Sequence, residues 1–260
     1  MSDKISIIDY KITLNLMLYS ALIYKINCKN KEKNLHNIKK ILKNNGEECL
    51  SLDILNKYYK SEYIIKYFYC ELTHIHCMIV KNDIEKKIKI IFKGSTDHTH
   101  MEYNLKIKLT NIKFLNNDKI KIHYGFYNQV FEGKIYNKII KYLQELDIDN
   151  YLIFYSGHSL GGVMATLFGY FSSFIFSNKI IIVSFGGSRI GNKFFKKSFE
   201  KKTNIICYRF NNENDIITQL PIINYEHVGI PINLKCSQNY NFLEEHNYES
   251  YLHSILNNTW

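Results

Sequence analysis

YLIFYSGHSLGGVMAT, residues 151–166, changes character at its midpoint. Leu152 to Tyr155 is a short apolar and aromatic run suited to a buried parallel strand, and Val163 to Phe171 is apolar enough for a packed helix. Between them stands Gly157-His158-Ser159-Leu160-Gly161, a full G-x-S-x-G. A serine on so tight a strand-to-helix turn takes a strained backbone conformation, and the positions two before and two after it have little room for a Cβ. The turn lifts the Ser159 hydroxyl clear of the sheet and aims the first N–H groups of the following helix at whatever it attacks. Helix polarity favours negative charge there, so Leu160 N–H is the first oxyanion donor to consider. Neighbours on such a turn point in different directions, so His158 reads as a structural residue and not as the base.

At 260 residues the chain is long enough for one large α/β domain with a substantial core. Lys and Arg outnumber Asp and Glu by 34 to 24, a net charge of +10. That charge is spread along the chain instead of clustered. It could suit an anionic lipid surface or a nucleic acid, and compositional bias toward Lys with a solvated surface would produce it as well. Peripheral contact with an anionic membrane is the partner expected, and no nucleic acid. The six cysteines, Cys28, Cys49, Cys70, Cys77, Cys207 and Cys236, form no C-x-x-C pair and no regular framework. Neither a zinc site nor a disulfide scaffold is indicated, and no cofactor is expected. The start of the chain is acidic at Asp3 and Asp9, and its apolar stretch from Leu14 to Tyr24 is broken by Asn15. It does not read as a signal peptide, no run approaches membrane-spanning length, and a soluble or cytoplasmic protein is expected.

Ile8, Ile12, Leu16, Tyr19 and Ile23 recur at helical spacing and predict an amphipathic helix with its apolar face inward. A further helix is expected between Asn27 and the Asn44-Asn45-Gly46 stop, and an irregular helical piece from Leu50 to Tyr69. Residues 1–70 thus read as a mainly helical segment packed on a domain that takes in 1–260. His74 to Val80 and Lys87 to Lys93 predict a hairpin around Lys81-Asn82-Asp83, with His74 and His76 on one strand face. No third ligand stands at a convincing spacing for a metal. The second strand runs into Phe92-Lys93-Gly94-Ser95, where Ser95 offers both an N–H and a hydroxyl at the end of the strand where ligands of parallel sheets bind. A polar stretch from Thr96 supplies a flap. Strands over Lys179 to Phe185, Asn204 to Phe210 and about His227 to Leu234 follow, separated by a basic helix ending near Lys202.

Ser159, Asp215 and His246 come in the order nucleophile, acid, histidine, each past an expected strand. A serine hydroxyl is too weak an acid to attack an ester unaided. An imidazole must take its proton, and a carboxylate must fix the tautomer of that imidazole and stabilise its cation. Three histidines compete for the role of base. His227 opens a strand, His253 lies inside a helix, and His246 stands between strand and helix, where this geometry supplies the base. Asp147 and Asp149 precede the nucleophile strand and read as surface residues at a helix end.

From about Ile79 to Leu252 the chain resembles the class 3 lipases, the fungal-type triacylglycerol lipase family. The elbow Gly157-His158-Ser159-Leu160-Gly161-Gly162 is the most specific block of that resemblance. Phe92-Lys93-Gly94-Ser95 is similar to the family's oxyanion block and carries that role onto Ser95. Ile122-His123-Tyr124-Gly125-Phe126 and Tyr225-Glu226-His227-Val228-Gly229 match two further blocks. Asp215 falls on the family's catalytic acid, and His246 on its closing histidine before a Tyr-Leu helix start. Ser188 stands where the family pattern has proline, and the flap lacks the tryptophan common there. The resemblance implies an α/β-hydrolase fold, a mostly parallel central sheet flanked by helices, with a helical N-terminal segment. It also implies a serine ester hydrolase whose substrate is a lipid or another acyl ester. The rival expectation is a protein that keeps this fold to bind a lipid or a protein partner, since fold alone does not fix function.

Overall fold

The computed structural model describes residues 8–26, 54–55, 57, 59–95, 108–235 and 243–257. Seven strands form one sheet. They are β1 (Tyr63–Cys70), β2 (Ile75–Asn82), β3 (Lys87–Phe92), β6 (Leu152–His158), β7 (Ile180–Phe185), β8 (Ile205–Asn212) and β9 (Ile230–Leu234), ordered β1-β2-β3-β6-β7-β8-β9. The first three pair antiparallel, and every pairing from β3 to β9 is parallel. Two short strands, β4 (Leu109–Asn111) and β5 (Lys121–His123), form a separate ribbon. The mostly parallel sheet expected from the sequence is therefore present, with antiparallel strands at one edge.

Alternation along the central strands sends successive side chains to opposite faces, and each face meets helices. Ile153, Tyr155, Ile180 and Ile182 join one apolar cluster, whereas Phe154, Ile181 and Val183 join the other. The first cluster takes in α2 (Tyr124–Phe131), α3 (Ile135–Gln144), α4 (Leu160–Ser172) and α5 (Lys193–Glu200). The second is covered by α1 (Tyr10–Lys25) and α6 (Tyr248–Leu256), whose Leu22, Ile23, Tyr251 and Ile255 are buried together. Helix α1 begins at Asp9, whose carboxylate accepts the Ile12 N–H at 2.7 Å and so satisfies one of the unpaired first-turn donors. No helix among the described residues is long and apolar enough to cross a membrane.

Three local expectations need correction. Residues 63–70 form a strand, not the end of a helical piece, because YIIKYFYC is dense in β-branched and aromatic residues and pairs along its length with β2. Among the described residues of that stretch, helical geometry is found at Ile54, Leu55 and Lys57. The hairpin turn lies at 83–86, with Lys81 and Asn82 inside β2. His74 falls outside β2 with φ 52°, so it does not share a strand face with His76. The imidazole of His76 instead meets the Tyr67 hydroxyl at 2.9 Å and stacks on Tyr69. Among the described residues no three His, Cys, Asp or Glu side chains are grouped to hold a metal. The helix expected between Asn27 and Gly46 and the first part of the flap, 96–107, lie outside the described residues.

Candidate active site

The strand ends β3, β6, β8 and β9 deliver the singled-out residues to one edge of the sheet. Ser159 follows β6 with φ 58° and ψ −126°, a left-handed conformation that a residue bearing a Cβ adopts only when its surroundings enforce it. Close packing enforces it here. A Cβ on Gly157 would fall 2.5 Å from the Gly161 carbonyl carbon, and one on Gly161 would fall 2.3 Å from the Phe92 carbonyl oxygen. Only glycines let the ends of β3 and β6 and the start of α4 approach so closely.

Ser159 occupies the N-cap position of α4, yet its hydroxyl makes no capping bond to the helix. A serine at that position ordinarily caps. The hydroxyl lies instead 2.7 Å from Nε2 of His246. Nδ1 of His246 lies 2.8 Å from Oδ2 of Asp215, whose side chain is fully buried. A carboxylate only accepts, so the proton of His246 sits on Nδ1 and the Nε2 lone pair is left to receive the serine proton. The three residues read from sequence as nucleophile, acid and base are thus in one hydrogen-bonded chain. Oδ1 of Asp215 accepts the Ile217 N–H at 3.0 Å, and Tyr251 donates to Oδ2 at 2.7 Å. The Tyr251 hydroxyl in turn accepts the Asn212 N–H at 3.1 Å.

On the oxyanion side, Leu160 opens α4 and is half-buried. Its N–H belongs to the first turn, where helix donors have no intrahelical partner. The Ser159 carbonyl already accepts from Gly162 at 2.9 Å and Val163 at 3.2 Å. Ser95, also half-buried, directly follows Gly94, and a Cβ built on Gly94 would lie 3.3 Å from the Cβ of Ser159. The exit from β3 therefore runs alongside the serine.

The histidines divide cleanly. His227 is not in contact with this chain, and burial, helped by Arg209, holds its imidazole down to about 3. His253 is exposed on α6. Asp147 and Asp149 are exposed as well. His158 is buried and is indeed not the partner of Ser159. Its Nε2 faces the His246 backbone carbonyl at 2.7 Å, and its Nδ1 faces the Tyr24 hydroxyl at 3.0 Å. Burial first, and the nearby His246 second, push its pKa well below the usual range for histidine.

Several supporting residues were not singled out from the sequence. Glu245 is buried, and its two carboxylate oxygens accept from the N–H and side-chain amide of Asn214, at 3.0 and 2.8 Å. Asn212 donates to the Glu245 carbonyl at 2.9 Å and to Ser250 at 3.0 Å. Together they tie the loop carrying Asp215 to the loop carrying His246. The run Asn211-Asn212-Glu213-Asn214-Asp215 was visible as polar, but nothing local assigned each amide its partner. Tyr24 has no local signal at all, being one aromatic among the apolar positions of α1.

Residues 89–225 match the sequence model of the family described as Lipase (class 3). The chain is 28% identical over 152 residues to phospholipase A(1) DAD1, chloroplastic, of Arabidopsis thaliana, covering 52% of this chain and 34% of that protein. It is 26% identical over 164 residues to a lipase of Rhizomucor miehei, covering 61% of this chain and 44% of that one. The matched stretch thus spans about a third of the first relative and less than half of the second. Among solved structures, the mono- and diacylglycerol lipase of Aspergillus oryzae superposes with a TM-score of 0.70 at 20% identity, over 90% of this chain and 82% of that one. At that identity the likeness speaks for the fold.

Proposed function

Because the chain belongs to the class 3 lipases, we propose that it is a serine carboxylic ester hydrolase cleaving acylglycerol or phospholipid esters through an acyl-enzyme on Ser159. The observation that carries this reading is the unbroken chain from the Ser159 hydroxyl through His246 to Asp215. His246 Nε2 takes the serine proton as Oγ attacks the ester carbonyl carbon, and Asp215 stabilises the resulting imidazolium. The tetrahedral oxyanion is held by the N–H groups of Leu160 and Ser95, with the Ser95 hydroxyl as a third donor. Collapse expels the alcohol, which leaves with the proton from His246. Water then repeats the sequence against the acyl-enzyme, releasing the carboxylic acid and restoring Ser159. Residues 1–260 act as one domain in this reading, since α1 closes one face of the sheet that carries the site.

A fluorophosphonate probe followed by peptide mapping tests the assignment directly. Label on Ser159, lost on denaturation, together with hydrolysis of p-nitrophenyl esters, is the expected result. An active enzyme labelled at another serine would overturn it. The net charge of +10 supports peripheral contact with anionic bilayers. Vesicle co-sedimentation should then favour anionic over neutral lipid at low salt and weaken steeply as salt rises.

A further inference from the structure

Accepting the ester-hydrolase reading, we propose that Tyr24 and His158 form a positioning relay that fixes the His246 backbone and the β3 exit relative to one another. The N-terminal helix α1 would then be part of the site and not merely a cover for the sheet.

The hydrogen bonds run in one direction. The Tyr24 hydroxyl lies 3.0 Å from His158 Nδ1 and gives it its one proton, because the His246 carbonyl on the far side of the ring can only accept. With Nδ1 accepting, the single proton of the neutral ring must sit on Nε2, which donates it to the His246 carbonyl at 2.7 Å. The opposite tautomer would set a nitrogen lone pair against a carbonyl oxygen. Burial resists the doubly protonated form, which would leave Tyr24 without an acceptor.

The hydroxyl is wedged where it touches both halves of the chemistry. A Cβ on Gly94 would lie 2.1 Å from the Tyr24 hydroxyl oxygen on one side and 3.3 Å from the Ser159 Cβ on the other. One atom of α1 therefore sets the distance between Ser95's strand exit and the serine, while its proton sets the tautomer beneath the base. The Tyr24 ring is held in turn by stacking on Tyr248, two residues past His246, with centroids 4.6 Å apart and planes at 14°. In this proposal the Tyr24 and His158 side chains act through the His246 backbone and the β3 exit. Their loss should misplace reacting atoms without removing a binding contact, which appears in kcat and not in KM.

The test is steady-state hydrolysis of a p-nitrophenyl ester by purified, folded variants, with melting curves alongside. Tyr24→Phe should lower kcat on the order of 10-fold or more at near-constant KM, since small misplacements cost that much. His158→Gln, whose amide can stand in for the Nε2 donor, should keep more activity than His158→Leu. Tyr59→Phe is the control, because Tyr59 also anchors α1, donating to the Lys11 carbonyl at 2.9 Å, but far from the serine. It should match wild type. Wild-type kcat in folded Tyr24→Phe, or an equal fall in Tyr59→Phe, would overturn the relay. Ser159→Ala separates the two layers: if it stays active, the hydrolase reading fails. If it is dead while Tyr24→Phe is unchanged, only the relay fails. Should the variants not fold, nitrogen-15 NMR of histidine in the wild-type protein decides. His158 must hold the Nε2–H tautomer from pH 8 to pH 5, and an Nδ1–H or doubly protonated ring there would end the proposal.

Discussion

Helix α1 enters two buried polar networks, one near each end. At Asn15 it meets Lys89 of β3 and Glu62 ahead of β1: Lys89 donates to both the Asn15 and Glu62 side chains, and Asn15 donates back to Glu62 at 2.9 Å. The Lys89 ammonium also lies over the Tyr19 ring, 5.6 Å from its centroid. At Tyr24 the helix meets His158, and through it His246, Asp215 and Ser159. The first network closes on itself, charge against charge, with every partner inside. Burial lowers the Lys89 pKa, and Glu62 opposes that shift without cancelling it. The second network is a line, and its last member, Ser159, is half-exposed. A closed polar network has no group left to react, whereas an open one ends in a group whose remaining partner must come from outside.

The largest expected effect is at the open end. Ser159→Ala should reduce turnover by about 10⁶-fold with an unchanged melting temperature, since the hydroxyl makes no capping bond. Stability loss comparable to the activity loss would mean the serine serves the fold. Asp215→Asn should come next, at about 10⁴ in kcat, because an amide in place of the carboxylate lets His246 adopt the wrong tautomer. Near-normal kcat in that variant would remove Asp215 from the chain of proton transfer.

The closed network should respond in stability instead. Glu62→Leu leaves Lys89 charged, buried and unpaired, at a cost of about 3–5 kcal/mol in urea unfolding, while the folded fraction keeps its kcat. Adding Lys89→Met and Asn15→Leu should recover most of that loss, since a buried ion pair is often no better than well-packed apolar groups. A triple variant as unstable as the single one would show that the network does more than fill space.

The smallest effect is in pH. The folded-state pKa of His158 lies well below 6.5, and that of His227 is about 3. Below pH 6.5 the unfolded chain binds these protons and the folded chain refuses them, so stability falls with falling pH. Each histidine contributes roughly 1.4 kcal/mol per pH unit until its folded pKa is reached. His158→Gln should flatten the slope between pH 6 and pH 4.5 by one such contribution. An unchanged slope would mean that His158 accepts a proton in place.

The contrast between the networks also explains what was legible beforehand. The elbow could be read because its chemistry is written in neighbouring residues, with glycine, serine and glycine at fixed spacing between an apolar strand and an apolar helix. Asp215 and His246 could be reached because each follows a strand. The closed network was invisible. Lys89 alternates with isoleucines in KIKIIF and looks solvent-facing, and only the arrival of Asn15 and Glu62 from distant segments turns it into a buried ion. Strand β1 was misread for a related reason: an edge strand with one neighbour and a mixed burial pattern carries a weak period of its own. Tyr24 and Glu245 act through partners that no local pattern names.

The stacking of α1 against α6 gives the site a place in time. The ribosome releases the chain in order, and the segments that converge are α1, near one end of the sequence, and α6, near the other. When Ser159 emerges, neither its base nor the tyrosine behind the acid has been synthesised. At about 5–20 residues per second, residue 251 follows roughly 5–20 s later. During that interval the elbow strand and helix can form while the hydrogen-bonded chain from Ser159 to Asp215 cannot. On the proposed reading, a nascent chain that has not yet reached His246 and Tyr251 would therefore be inert toward lipid esters.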